Sequence, residues 1–180
     1  MGQLLPDFNQ NYFGIDYSEL FIKESKEHFK SNKNIDFNVA DVFNLPEKYT
    51  KKFDITINYK TLSWLPYYED CIKELIKVTK DKVYITSLFN EGNIESITKI
   101  YTDENNYTYL NTYSLEKFKK FVEAQGAKVV DITPMQLDFD LEKPKDINEL
   151  STYTQLLADN SRLEITANTL LNWKLVTIKV

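Results

Sequence analysis

Glycine, cysteine, histidine and arginine are scarce in this chain of 180 residues, and each scarcity excludes a class of protein. Four glycines, at positions 2, 14, 92 and 126, cannot supply a complete glycine-rich phosphate-binding loop. One cysteine, Cys71, and one histidine exclude an internal disulfide and a structural zinc site with four nitrogen or sulfur ligands. A single arginine and a net charge of −5 give little electrostatic support to nucleic-acid binding.

Long apolar runs are also missing. The longest are a few residues, against the roughly 20 that cross a bilayer, and the N-terminus lacks the pattern of a signal peptide. We therefore expect a cytoplasmic protein that makes no membrane contact. Hydrophobic residues at 42% and charged residues at 27% are typical of a folded protein, and the length predicts one domain over residues 1–180.

Short apolar segments alternate with amphipathic segments along most of the chain. Strands are predicted where apolar runs are bounded by polar residues, at 12–15, 35–39, 53–57, 82–89 and 127–132. Helices are predicted after Ser18, over 67–79, and from Ser114 to a stop at Gly126, because serine is a favourable N-cap and glycine a favourable stop. Residues 150–180, with breaks at 158–161 and 168–172, are predicted to form antiparallel strands.

This alternation predicts an α/β fold, a doubly wound and mostly parallel sheet with helices on both faces and an antiparallel C-terminal part. Ligands bind such sheets beyond the carboxyl ends of the strands, where Asp16, Asp41, Asn58 and Asn90 are expected. Asp16 is the leading candidate, since an acid at the end of the second strand of a dinucleotide-type fold binds ribose hydroxyls. A simple helix-entry acid is the alternative interpretation.

Four strings of the sequence resemble, in order and spacing, the Rossmann-like S-adenosylmethionine-dependent methyltransferases: FGIDYS (13–18), ADVFNLP (40–46), KFDITINYKTLSWLP (52–66) and EKFKKFVEAQGAKVVDI (116–132). The resemblance implies S-adenosylmethionine as cofactor. It implies that Asp16 holds the ribose with Tyr17 near the adenine, and that Asp41, with Val42 beside it, contacts the adenine amino group. Asn58 would then line the methionine portion, with Tyr59 and Lys60 toward the acceptor.

Three C-terminal strings are faintly similar to small bacterial methyltransferases of surface-polysaccharide pathways: TYT (152–154), RLEIT (162–166) and LLNWKL (170–175).

The first strand and most of the glycine-rich turn of that family have no counterpart in the sequence. The glycine-rich loop of such folds begins about 20 residues before the acid, which for Asp16 would be before residue 1. Gly2 would therefore be the last glycine of the cofactor loop. In a doubly wound sheet, the first strand lies between the second and the fourth. We therefore expect the domain to be N-terminally incomplete, as a shortened form of a longer protein.

Aromatic and polar residues after the predicted fourth strand are assigned to the acceptor side. Tyr59 and Lys60 are the candidate catalytic residues; Lys60 would act as a base if desolvation lowered its pKa, or would hold an anionic acceptor as a cation. Aromatic walls with polar tips suit a small-molecule pocket, and the candidate substrate-binding residues are Trp64, Tyr68, Asn90 and Tyr113. Core packing is the alternative for the aromatic residues, and a solvated loop for Lys60. No metal is expected.

The predicted function is methyl transfer to a small polar metabolite, at oxygen rather than carbon, mainly by holding the reactants in line. The expected partner is a small molecule, with homo-oligomerisation left open. Two alternatives are an NAD(P)- or nucleotide-sugar-binding Rossmann enzyme, and a non-catalytic binding module with a methyltransferase-like fold. Stabilisation by S-adenosylhomocysteine, by NAD or by neither would separate the three.

Overall fold

The computed structural model describes residues 10–101, 103–146, 150–167 and 169–180, which form twelve strands and three helices. The strands are β1 (Tyr12–Asp16), β2 (Ile35–Val39), β3 (Phe53–Tyr59), β4 (Thr79–Asn90), β5 (Lys99–Tyr101), β6 (Tyr107–Tyr109), β7 (Tyr113–Ser114), β8 (Lys128–Pro134), β9 (Thr152–Leu156), β10 (Arg162–Thr166), β11 (Thr169–Leu170) and β12 (Trp173–Lys179). The helices are α1 (Glu19–His28), α2 (Glu69–Val78) and α3 (Leu115–Ala124). In the described part of the chain, no helix is long and apolar enough to span a membrane.

The chain divides into two compact units, of which the first ends at Thr50. In this unit β1 and β2 pair in parallel, and α1 connects them. Ser18 caps α1, because its Oγ accepts a hydrogen bond from the Phe21 N–H at 3.3 Å. Gly14 lies so close to the ring of Phe37 that a Cβ would come within 2.5 Å of it, so a larger residue at this position of β1 would require the ring to move.

The second unit begins at Lys51 and is built on a sheet with the strand order β3-β4-β12-β8, with β7 pairing beside β4. β3 and β4 are parallel, whereas β12 lies antiparallel between β4 and β8. Both α2 and α3 pack on one face of this sheet. Asn58 on β3 contacts Cys71 of α2 there, and the ring of Phe89 on β4 meets Phe118 of α3 with centroids 5.0 Å apart.

The opposite face of β3 carries apolar side chains that are open to solvent. Ile55, Ile57 and Tyr59 alternate along the strand and are 51%, 70% and 53% exposed. Among the described residues, β3 pairs only with β4, and β1 pairs only with β2. These are the second- and fourth-strand positions of the predicted doubly wound order, and each has a free edge within the described part.

Two small antiparallel sheets complete the second unit. β9, β10 and β11 form one, and β5 and β6 form the other. A cluster of Leu88, Leu110, Leu171 and Trp173 makes up part of the core near the start of β12. Cys71 is fully buried in α2, and burial raises the pKa of its thiol to about 12, as is typical of an unreactive core cysteine.

The α/β class and the antiparallel C-terminal part are confirmed. The helix predicted to end at Thr79 ends at Val78, because Thr79 is extended, and its hydroxyl donates to the Leu75 carbonyl at 2.6 Å. The hairpin of β5 and β6 was missed, since three-residue strands are too short to show a period. Helices on both faces of one sheet, and a single domain over the whole chain, stay predictions.

Candidate functional site

Two acids of the first unit lie at the carboxyl ends of β1 and β2. Asp16 is the last residue of β1, and its Oδ1 accepts the Ser18 N–H at 2.8 Å. Asp41 follows β2 by two residues, and its Oδ1 accepts the Phe43 N–H at 2.9 Å. The Ala40 N–H donates to the Asp16 carbonyl at 3.0 Å, and this hydrogen bond joins the carboxyl ends of β1 and β2. Because the strands are parallel and in register, both carboxylates lie at one edge, called here the acid edge.

The chemistry of the acid edge fits the nucleoside portion of S-adenosylmethionine. Both aspartates are exposed, and the described hydrogen bonds occupy only Oδ1 of each, so that a second acceptor oxygen remains for hydroxyl or amino donors. Tyr17 is 83% exposed and Val42 is partly buried beside Asp41. Gly2, the predicted loop glycine, lies outside the described residues.

Asn58 of the second unit is more buried than the sequence suggested. It lies within β3 rather than after it, since the parallel pairing with β4 continues to Tyr59 opposite Thr86. Its Nδ2 donates to the Cys71 Sγ at 3.9 Å, while its Oδ1 is a buried acceptor without a hydrogen-bond partner among the described residues. A buried acceptor left unpaired is costly, which marks the end of β3 as a place where a ligand donor would be favourable.

Lys60 is held against an aromatic ring rather than extended into solvent. Its backbone adopts φ = 56°, an unusual value for a residue with a side chain, and its N–H donates to the Thr86 carbonyl at 3.0 Å. Its Nζ lies 4.7 Å from the centroid of a Trp173 ring and 5.7 Å from that of Tyr59. These distances are those of cation–π contacts. Of the two predicted catalytic residues, Tyr59 is thus half exposed and Lys60 is fixed beside it.

Two of the predicted substrate-binding residues are core residues in the structure. Tyr68 packs edge-to-face on Tyr113 with centroids 4.9 Å apart, and both are buried. The Tyr113 hydroxyl shares its hydrogen bond between two backbone carbonyls, of Leu62 at 3.2 Å and of Leu65 at 3.1 Å. Burial raises the pKa of this hydroxyl to about 12. The pKa of Tyr68 is also raised by burial. Their contacts match the core-packing alternative, through which they hold the 3₁₀ turn Leu62–Trp64 in place.

The other two predicted substrate-binding residues lie near the carboxyl ends of β3 and β4. Trp64 ends the 3₁₀ turn after β3 and is partly exposed. Asn90 is the last residue of β4, and its Nδ2 donates to the Ile94 carbonyl at 3.4 Å. The structure therefore leaves Tyr59, Lys60, Trp64 and Asn90 as the accessible part of the predicted acceptor side.

Sequence reasoning proposed neither Glu164 nor Trp173 as a site residue. Trp173 is buried, and the Lys60 ammonium lies over its ring. The Trp173 Nε1 has no hydrogen-bond partner among the described residues. Glu164 on β10 is 6% exposed, and loss of solvent raises the pKa of its carboxyl, against the field of Lys60 and a hydrogen bond from the Leu137 N–H. Glu164 alternates with Leu163 and Ile165, a pattern that predicts an outward-facing acid.

A model of the family described as "Methyltransferase domain" matches residues 3–128 of this chain. No curated protein matches the chain in sequence. One similar structure, described as a S-adenosylmethionine-dependent methyltransferase of Methanosarcina mazei, has a TM-score of 0.61 at 10% identity, over 93% of this chain and 80% of that chain.

Two further similar structures come from other organisms. A Listeria monocytogenes protein assigned to the same class of enzyme has a TM-score of 0.62 at 9% identity, over 94% of this chain and 79% of that chain. A Haloferax volcanii protein in complex with the Trm112 methyltransferase activator has a TM-score of 0.58 at 14% identity, over 94% and 71%. At such identities the likenesses show a common fold.

Proposed function

This chain belongs to the methyltransferase domain family and uses S-adenosylmethionine as its methyl donor, and on that premise we propose that its acceptor is a small polar metabolite methylated on oxygen. When bound, S-adenosylmethionine supplies a methyl group already activated on a sulfonium sulfur. The side chains therefore have to bind and orient the reactants. A cytoplasmic location and a bacterial source are parts of the same proposal.

The observation that carries the cofactor assignment is the acid edge. Asp16 and Asp41 end neighbouring parallel strands, and both lie inside the family match. Oδ2 of each carboxylate accepts no hydrogen bond from the turn that follows the strand, so it can accept hydrogen bonds from vicinal hydroxyls. The acid at the end of the second strand of a dinucleotide-type fold does the same. We assign the ribose to Asp16, with Tyr17 beside the adenine, and the adenine amino group to Asp41, with Val42 beside it.

The acceptor side is proposed in the second unit, at the end of β3. Tyr59 offers an exposed aromatic surface there. Lys60 offers an ammonium group that an aromatic ring holds in place, which suits orientation of an acceptor better than a mobile side chain does. Trp64 and Asn90 extend this surface along the carboxyl ends of the strands.

Calorimetric titration with S-adenosylhomocysteine tests the cofactor assignment. We expect micromolar binding to the wild type, and binding weaker by about tenfold or more for Asp16→Ala, because a hydrogen bond to a charged group contributes roughly 1.5–3 kcal/mol. Asp36→Ala is the matched control. It removes a carboxylate of β2 that accepts only its neighbour's N–H at 2.8 Å, away from the acid edge.

Equal weakening by the two variants would reject the acid edge as the nucleoside site. Absence of S-adenosylhomocysteine binding to the wild type, with binding of NAD in its place, would favour the alternative Rossmann enzyme. Absence of both would favour the non-catalytic binding module.

A further inference from the structure

The hairpin of β5 and β6 presents one face that is made of three tyrosines and a lysine. In its antiparallel register Lys99 lies opposite Tyr109, and Tyr101 lies opposite Tyr107. Residues that face each other across two strands, and residues two apart along one strand, point to the same side of a sheet. All four side chains therefore lie on one side of the hairpin, which is called here the tyrosine face.

The opposite side of the hairpin is attached to the core of the second unit. Ile100 alternates with the residues of the tyrosine face and packs against the buried cluster that contains Leu110. The Leu110 N–H donates to the Thr98 carbonyl at 3.0 Å, and the Thr98 N–H donates to Oδ1 of the fully buried Asn111 at 3.0 Å. The tyrosine face is therefore supported from behind by packed core residues and hydrogen bonds.

The rings of the tyrosine face are open to solvent and contact one another. Tyr101 is 60% exposed and Tyr107 is 46% exposed. The centroid of the Tyr107 ring lies 5.5 Å from that of Tyr101, and 5.5 Å from that of Tyr109 in an edge-to-face contact. Contacts of this kind stabilise the rings in their relative orientation. The face is thus an exposed aromatic surface that exists before any ligand binds.

Lys99 gives the tyrosine face a positive charge. Its Nζ lies 4.2 Å from the centroid of the Tyr107 ring and 5.7 Å from that of Tyr109, which are distances of cation–π contacts. A hydrogen bond to the Tyr107 hydroxyl uses one of the three donors of the ammonium group. Within the described part of the chain, no carboxylate lies within ion-pair distance of this Nζ. The charge is therefore held by the rings and remains available to an anion.

The charge and size of the tyrosine face decide between kinds of ligand. Nucleic acid is disfavoured, because the chain has a net charge of −5 and a single arginine. A second copy is disfavoured, because two tyrosine faces would oppose their lysines. Four side chains also offer far less than the roughly 800 Å² per partner that a stable protein interface buries. A small molecule fits the face better than a macromolecule does.

We propose that the tyrosine face is a binding site for a small aromatic acid, whose ring packs on Tyr101 and whose carboxylate pairs with Lys99. The two groups lie two residues apart on one side of β5, about 7 Å along the strand, so that one small molecule can contact both. An aliphatic acid would lack the aromatic contact, and a neutral aromatic molecule would lack the charged one. This site is separate from the residues assigned to methyl transfer and does not depend on that assignment.

Nuclear magnetic resonance of the tyrosine rings tests this site, and Tyr101→Leu identifies the Tyr101 signals. The probes are benzoate, cyclohexanecarboxylate, which keeps the charge without an aromatic ring, and benzyl alcohol, which keeps the ring without the charge. We expect benzoate to shift the Tyr101 ring signals upfield and saturably in the millimolar range, because a stacked aromatic ring shields the protons beneath it. The other two probes should bind about threefold or more weakly, since each lacks one of the two interactions.

Variants separate the two halves of the site, with binding followed on the signals of the probes. Lys99→Met should abolish the preference for benzoate over benzyl alcohol, and Tyr101→Leu should abolish the preference for benzoate over cyclohexanecarboxylate. Lys120→Met and Phe139→Leu are the matched controls, because they remove an exposed lysine and an exposed aromatic ring elsewhere and should leave all three affinities unchanged. A dispersed amide spectrum verifies that each variant is folded.

Any of three results would overturn the proposed site: no saturable shift of the Tyr101 signals with benzoate, equal binding of the three probes, or a benzoate preference that either Lys99→Met or Tyr101→Leu leaves unchanged. Weakening of benzoate by Lys120→Met to the same extent as by Lys99→Met would also overturn it, because the attraction would then come from the overall charge of the protein. Saturable binding with both preferences, each lost in its own variant, would establish the tyrosine face as an aromatic-acid site.

Discussion

Glu164 occupies a strand position at which the protein interior disfavours its charge. Burial removes solvent from the carboxylate, and neither the Leu137 N–H nor the field of Lys60 compensates fully, so that the pKa stays above the ordinary value. Neutral glutamine would have nearly the same shape without this penalty. A buried acid that lowers the stability of the folded state is typical of positions where function and stability compete.

The pH dependence of stability should report this penalty. Because the folded-state pKa of Glu164 is raised, the folded protein binds its proton more tightly than the unfolded chain does. The stabilising contribution of Glu164 to the free energy of unfolding is therefore fully present below the ordinary glutamate pKa of about 4.3. It is lost as pH rises through the raised folded-state pKa. We expect Glu164→Gln to gain free energy of unfolding relative to wild type between about pH 4 and pH 7, measured by urea denaturation.

The exposed acid Glu142 supplies the control, since Glu142→Gln should keep the same difference from wild type at both pH values. A difference between Glu164→Gln and wild type that does not change with pH would mean that the folded protein leaves the Glu164 pKa at its ordinary value.

The two serine caps show what sequence can establish at the level of an element. Ser18 and Ser114 were both predicted as N-caps from their position before an amphipathic segment, and both are confirmed. Their surroundings differ in a way that sequence does not reveal. Ser18 is half-buried at the start of α1. Ser114 is fully buried, where its Oγ accepts the Lys117 N–H at 3.1 Å and donates to the Gly92 carbonyl.

Alanine at these two caps should therefore have unequal effects. Ser18→Ala removes one N-cap hydrogen bond and should cost about 0.5–1 kcal/mol. Ser114→Ala removes the cap of α3 and also leaves a carbonyl without its partner, so we expect about 2 kcal/mol or more. Urea denaturation followed by the helical circular dichroism signal measures both. Equal costs would show that burial of the Ser114 network adds nothing to the cap itself.

Sequence patterns did not predict which strands, distant in the chain, pair with each other. The apolar run of β12 predicts a strand, and its antiparallel direction was predicted, but nothing in the run indicates that it inserts between β4 and β8. A local hydrophobic pattern sets which face of a strand is buried, but it does not say which strand pairs beside it. For the same reason, the contact of Lys60 with Trp173 could not be predicted, since it joins residues that are far apart in the chain.

At the scale of the whole molecule, the sequence predicted which residues lie at strand ends better than it predicted which side chains are buried. Asp16 and Asp41 could be placed at strand ends because apolar runs stop just before them, and the structure puts them there. The burial of Tyr68 and Tyr113 could not be predicted, because the same aromatic sequence pattern occurs in a core and in a pocket wall. Glu164 was missed because alternation predicts an exposed acid, whereas the structure buries it and gives its carboxyl a hydrogen bond from the Leu137 N–H.

The two units differ in how much core they have, and this should appear as a difference in local stability. The described core of the first unit consists of Ile22, Leu45 and Tyr49 around a two-stranded sheet, whereas most residues of the central strands β4 and β12 of the second unit are buried. A two-stranded sheet is marginally stable by itself. The amides of β1 and β2 should therefore exchange hydrogen for deuterium through lower-energy openings than those of β4 and β12.

Cofactor binding gives this difference a functional consequence. If Asp16 and Asp41 hold the nucleoside, S-adenosylhomocysteine binds only when β1 and β2 are formed, and it stabilises them by an amount set by its concentration relative to its dissociation constant. We expect exchange of the β1 and β2 amides to slow about 100-fold at a ligand concentration 100 times that constant, with Asp16→Ala abolishing most of the effect. Residue-resolved exchange measures it. Slowing confined to β4 and β12 would place the ligand away from the acid edge, because a ligand protects most strongly the openings that destroy its own site.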